Sequence, residues 1–151
     1  MNELYAEYRE ELGEIVGSLV DTSLELLRLN SNFLPHGIAK TQSGELRMVG
    51  ALADSGKDLV TSEDILPNVR AGLNKMAQDK CALSVATAEN VSVLREGKRR
   101  TETIKVQYEN PAGLSVAIYT PFKRKLLGGY KTGQPFSQIT SAEIVDAWPS
   151  S

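Results

Sequence analysis

Apolar residues recur every three or four positions through Leu4, Tyr8, Leu12, Ile15, Val16, Leu19, Leu26 and Leu27. That period predicts one long amphipathic helix from about Asn2 to Leu29, with a single buried stripe broken at Ser23. Glu3, Glu7, Glu10, Glu11 and Glu14 crowd its first half, where the positive end of the helix dipole favours acid. Gly13 and Gly17 lie one turn apart and predict a notch where another backbone packs closely. Asn30-Ser31-Asn32 closes the helix.

The pattern then changes. Phe33 to Ala53 reads as a β-hairpin turning at Thr41-Gln42-Ser43-Gly44, with Ile38 and Lys40 leading in and Leu46 and Met48 leading out. Residues 54–61 read as a loop. A second helix runs from Ser62 or Asp64 to about Asp79, its apolar face formed by Ile65, Leu66, Val69, Leu73, Met76 and Ala77. Pro67 fits only in the first turn, which makes Asp64 the expected cap.

Three strands follow, over residues 81–95, 101–109 and 113–121. The first offers a small-residue face at Ala82, Ser84, Ala86 and Ala88, and Glu89-Asn90 marks an expected bulge. The second alternates Ile104, Val106 and Tyr108 with Thr103, Lys105, Gln107 and Glu109. The third puts Leu114, Val116 and Ile118 on the buried face. Residues 130–139 supply one further candidate strand. Ser141 to Trp148 reads as a short helix or a docked tail anchored by Trp148.

The order α-β-β-α-β-β-β, plus a C-terminal extension, predicts a single two-layer α+β domain over residues 1–151. It has about five antiparallel strands with the helices on one face, and residues 140–151 form a docked or mobile tail. Profilin-like and roadblock-like domains share this order, but order alone carries no function.

Phe33-Leu34-Pro35-His36-Gly37-Ile38-Ala39 and Ser43-Gly44-Glu45-Leu46-Arg47 resemble the aromatic-x-Pro-x-Gly … Asp-Gly-Glu-x-Arg hairpin of small bacterial proteins of uncharacterised function. In those proteins the later part resembles Ile104–Gln107 and Val116-Ala117-Ile118-Tyr119-Thr120-Pro121-Phe122. Ser43 stands where acid is more usual. The resemblance implies a stand-alone bacterial domain and transfers no activity.

A net charge of −2 conceals a partition. Residues 1–94 hold 8 Lys/Arg against 14 Asp/Glu, residues 95–131 hold 9 against 3, and the remainder holds only Glu143 and Asp146. The folded chain is therefore expected to carry a charge dipole. At 151 residues and 41% hydrophobic composition, the chain is sized for one core. No apolar run approaches the roughly 18–20 residues that span a bilayer, and acid replaces the base of a secretory signal, so the expectation is a cytoplasmic protein with no membrane partner.

One cysteine and one histidine exclude an internal disulfide and offer too few ligands for a structural zinc site, so no metal and no cofactor is expected. His36 is a candidate general base, but no nucleophile motif accompanies it, and a structural histidine hydrogen-bonded at the strand entry is the favoured reading. Cys81 reads as a buried small hydrophobe opening a strand. Asp54/Asp58 and Glu63/Asp64 read as solvated or capping acids. Gly128-Gly129-Tyr130-Lys131-Thr132-Gly133 lacks the spacing of a phosphate-cradling loop and reads as a flexible connection.

An up-down-up meander brings the end of its first strand and the exit of its third together. Arg95, Lys98, Arg99 and Arg100 then lie beside Lys123, Arg124 and Lys125. This basic edge is the candidate partner site. The leading function is a non-enzymatic protein-interaction domain of immunity, adaptor or chaperone type that holds an acidic protein partner; a homodimer through the first helix is compatible with it. The alternatives are a small-ligand binder or enzyme with a pocket near His36, Tyr119 and Tyr130, and a phosphate-backbone binder. Nucleic acid is disfavoured by low aromatic content and by the absence of a recognition motif.

Overall fold

The first helix is interrupted once. In a computed structural model, which describes residues 3–50, 62–94 and 99–150, α1 spans Glu3–Glu7 and α2 spans Arg9–Asn30. Tyr8 separates them at φ −101° and ψ 11°. α2 ends at Ser31, whose left-handed φ of 63° lets its N–H bond the Leu27 carbonyl. Its buried stripe is Leu12, Ile15, Leu19, Ser23 and Leu27. Gly13 and Gly17 face open space, with no atom within 4 Å of an added Cβ, so the expected packing notch does not form.

The strands are β1 His36–Lys40, β2 Leu46–Gly50, β3 Ser84–Leu94, β4 Arg100–Glu109, β5 Ser115–Arg124, β6 Tyr130–Thr132 and β7 Phe136–Ile139. Helix α3, Ser62–Gln78, lies between β2 and β3. The antiparallel sheet runs β2-β1-β3-β4-β5-β6, and β7 pairs with the first half of β5. Because β3 sits beside β1, the chain leaving β2 passes over β1 through α3 before it returns. The ladder from Val85–Glu109 to Leu94–Arg100 is unbroken, so the bulge expected at Glu89-Asn90 is absent.

Neighbouring residues of a strand face opposite sides of a sheet. Ile38, Ala86, Ala88, Ile104, Val106, Tyr108, Val116 and Ile118 pack with α2. Ala39 and Val85 pack instead with Ile65, Val69, Leu73 and Ala77 of α3 and with Ile144 and Val145 of the tail. The helices thus cover opposite faces, giving three layers where two were expected and, among the described residues, seven strands where about five were. The cause lies in β1 and early β3, which are apolar on both sides and need cover on both. Gly37 permits the α3 approach: an added Cβ lies 2.7 Å from Leu73 Cδ1 and 2.9 Å from the Ala86 carbonyl.

Other corrections are local. Pro67 lies inside α3 beyond its first turn, where it omits one backbone hydrogen bond. Cys81 is exposed in the turn before β3 rather than buried in a strand. Residues 54–61, with Asp54 and Asp58, lie outside the described residues. No helix among the described residues is long and apolar enough to cross a membrane.

The tail is held by a group placed on the polar side of β4. Glu109 is 1% exposed. Its carboxylate accepts the backbone N–H groups of Glu143 at 2.6 Å, Ile144 at 3.0 Å and Val145 at 2.9 Å, and a Gln107 amide N–H at 3.0 Å. Glu143 in turn pairs with Arg70 and Lys105, each at 3.1 Å. Ile144 and Val145 are buried while Trp148 is only partly so, and residues 141–148 form no helix. The anchor is a carboxylate in a nest of amides more than an aromatic ring.

Hydrogen bonds to an ionised group contribute about 1.5–3 kcal/mol. Glu109→Gln is therefore expected to lower the urea midpoint by an amount equivalent to about 2 kcal/mol and to make residues 140–150 sensitive to protease. An unchanged midpoint together with an uncut tail would remove Glu109 as the anchor.

Candidate functional site at the basic end of the sheet

β3 and β5 run in the same direction, with β4 between them, so the end of β3, the start of β4 and the end of β5 share one edge of the sheet. Thr103 pairs with Pro121. Arg100 and Arg124 each stand three residues beyond that pair, toward the same end. Arg99, Arg100, Lys123, Arg124 and Lys125 therefore occupy one pole of the domain, and all five are exposed. Arg95 and Lys98 lie outside the described residues.

The hairpin that follows is better ordered than its glycines suggest. Tyr130–Thr132 forms β6 and pairs with Phe122–Arg124, so residues 128–133 are not the flexible connection expected. The pairing adds Lys131, a cation that sequence reasoning left out of the site. Lys131 stands directly opposite Lys123. Facing like charges disfavour a sheet by about 0.2–1 kcal/mol. Alternation along 129–132 was the available signal, but the run is short and rich in glycine.

None of Arg99, Arg100, Lys123, Arg124, Lys125 and Lys131 makes an ion pair with a described residue. Elsewhere Arg28, Lys40, Arg70, Lys75 and Lys105 are paired, while Arg9, Arg47 and Lys80 stand singly among the described residues. Arg124 lies over the Tyr130 ring, 6.0 Å from its centroid, a cation–π brace. Phe122 is buried and meets Tyr130 edge-on at 5.9 Å. These aromatics brace the hairpin internally and do not form the exposed stacking platform that single-stranded nucleic acid uses.

Thr101, Pro121, Lys123, Lys131 and Gly133 border a cleft of ≈ 350 Å³ that reaches from Thr101, the residue after Arg100, to the facing lysines. On the α2 side, Asp21, Glu25 and Arg28 share another cleft with Lys125 and Tyr130; Arg28 pairs with Glu25, which leaves Asp21 as the acid that limits the basic surface there. The β5–β6 turn closes through Gly128 N–H to the Lys125 carbonyl at 3.2 Å and Lys125 N–H to the Gly129 carbonyl at 2.9 Å. Gly128 at φ 96° and Gly129 at φ 80° take conformations costly for other residues. Leu126 and Leu127 occupy the turn's corners, fully exposed.

His36 sits on the α2 face, buried at the entry to β1. Its Nδ1 lies 3.0 Å from the Leu34 carbonyl, so that nitrogen carries a proton, and Nε2 lies 3.4 Å from Ser23 Oγ. The Ser23 hydroxyl donates to the Leu19 carbonyl at 2.8 Å, which explains the gap in the helix stripe. Burial pushes the imidazole below its ordinary pKa, although the Leu34 and Leu19 carbonyls oppose this. His36 and Tyr130 lie on the α2 face, whereas Tyr119 stacks on Phe136 on the other, so the three do not share a pocket. Tyr108 donates to the Glu11 carboxylate, which also pairs with Lys40 at 3.3 Å; burial and that acid raise the phenol's pKa.

No known protein family, curated protein or solved structure matches this chain.

Two outcomes follow from this geometry. The pKa of His36 is lower folded than unfolded, so below the unfolded value of 6.5 the unfolded chain takes up the proton first. Stability is therefore expected to fall as pH drops through 6.5, and His36→Gln to flatten that slope; equal slopes in both proteins would contradict it. Lys131→Glu replaces a repulsive cross-strand pair with an attractive one. It should raise stability by about 0.5–1 kcal/mol in thermal unfolding, and a loss of stability would mean that Lys131 is needed by the fold.

Proposed function

We propose that the protein is a non-enzymatic docking domain whose basic sheet end holds an acidic partner surface, in a role of the immunity, adaptor or chaperone type. The observation that carries this reading is the group of six exposed cations at one pole, unpaired with described residues and including a facing lysine pair that works against the fold. A surface kept cationic at a cost in stability suits attraction between molecules, because charge complementarity raises the association rate and rejects wrong partners.

A catalytic reading has less behind it. Ser23 and His36 are near each other, but Ser23 is 0% exposed and its proton is engaged by Leu19. We read the element order as a variant of the profilin-like and roadblock-like arrangement, which transfers no activity to this chain. The acidic protein partner expected from charge alone remains one form of this proposal; the chemistry of the hairpin tip narrows it below.

Changing Arg99, Arg100, Lys123 and Arg124 together to Glu tests the reading. The variant should keep the wild-type circular dichroism and a cooperative thermal transition, since all four side chains are exposed, with the melting temperature shifting only by the lost Arg124–Tyr130 contact and the relieved Lys123–Lys131 repulsion. It should also lose the capture of native-lysate components that the wild-type chain retains at low salt and releases at high salt. Identical capture by both proteins would reduce the basic end to ordinary solvated surface.

A further inference from the structure

Given that the basic end is a docking surface, we propose that it docks on an anionic lipid bilayer, with Leu126 and Leu127 entering the boundary between headgroups and acyl chains. The two leucines are 105% and 101% exposed, more than any other large apolar residue described. They share the corners of a closed turn, so both project from one convex tip. Nothing in the fold uses them: neither belongs to a core cluster.

Cations flank the tip on both strands. Lys123, Arg124 and Lys125 lead into it, and Lys131 follows it directly across from Lys123. At about 3.3 Å per strand residue, these groups stand roughly 5–15 Å behind the leucines. The apolar side of an interfacial element is buried about 5–10 Å, with its basic residues level with the headgroups. The spacing of the hairpin fits that layering. Arg99 and Arg100 on the neighbouring turn extend the cationic zone across the same pole.

An acidic protein fits less well. Interface anchors are mostly Trp, Tyr and Arg seated in pockets, and Leu is under-represented among them. Tyr130 is half-buried against Phe122 and Arg124, so the tip presents leucine without an exposed ring. A bilayer needs no matching pocket and supplies negative charge at every orientation. The expectation of no membrane partner rested on the lack of a spanning run; a two-residue tip inserts without one and leaves no hydropathy signature.

Each basic residue near an anionic surface strengthens binding by about fivefold, and each buried leucine by about tenfold or more. The test is co-sedimentation of the full chain with vesicles of phosphatidylcholine, alone or mixed with phosphatidylserine, at low and high salt. Wild type should bind the mixed vesicles at low salt and be largely released by salt. Leu126→Ser with Leu127→Ser should weaken that binding by roughly 100-fold or more, with the melting temperature unchanged because both side chains are outside the core. A Leu127→Trp variant should retain binding and lose the added indole's fluorescence when the acyl chains carry bromine, whereas the wild type, whose Trp148 lies beside Lys80 and Pro111, should keep its emission.

Equal binding by the serine variant, or no quenching of the tryptophan variant, would overturn insertion of the tip. Absence of binding to either vesicle, or equal binding to neutral ones, would overturn the anionic bilayer as the surface. In these cases the docking reading stands or falls separately on lysate capture by the four-glutamate variant. Salt-sensitive capture of a protein with no vesicle binding would assign the pole to a protein partner instead.

Discussion

β3, β4 and β5 are joined by antiparallel ladders that run from Val85–Glu109 to Leu94–Arg100 and from Glu109–Ser115 to Thr103–Pro121. A slip of one residue in either ladder would turn Ile104, Val106 and Tyr108 away from α2 and expose the core. The core therefore holds the register, and the register holds the end of β3 and the exit of β5 at one edge. The convergence of Arg99 and Arg100 with Lys123, Arg124 and Lys125 follows from packing at a distance. The charges themselves repel and contribute nothing to bringing it about.

The opposite pole differs in character. There Glu109 gathers three tail amides and a Gln107 N–H, while Glu11, Tyr108 and Lys40 form a second buried or partly buried network on the α2 side. The charges of these two networks are paired or hydrogen-bonded inward, and Glu45 and Lys80 stand exposed outside them. Polar satisfaction at one end and unpaired cations at the other give the molecule a structured base and a reactive face. Perturbing the cations should leave the base intact, which makes the face separable by mutation.

Much of this was legible from periodicity. The α2 stripe, the hairpin turning at Gly44 and the alternation of β4 each follow from local spacing, and the structure contains all three. What was not legible depends on contacts distant in sequence. Glu109 alternates like a solvent-facing strand residue, and only the returning tail buries it. Ser23 looks like a defect in the helix until His36 arrives beside it. Pro67 looks like a first-turn residue because propensity cannot report the tertiary packing that extends α3 past it. Leu126 and Leu127 stand between Lys125 and two glycines with no periodicity to place them, and only the turn geometry shows them exposed.

Amide hydrogen exchange of the full chain, with and without phosphatidylserine-containing vesicles, tests the central claim most directly. The account predicts slowed exchange over residues 122–132 and around residues 99–101, with α3, β2 and the tail unchanged. Protection along the helices or the β2 edge, with none at the basic pole, would contradict it.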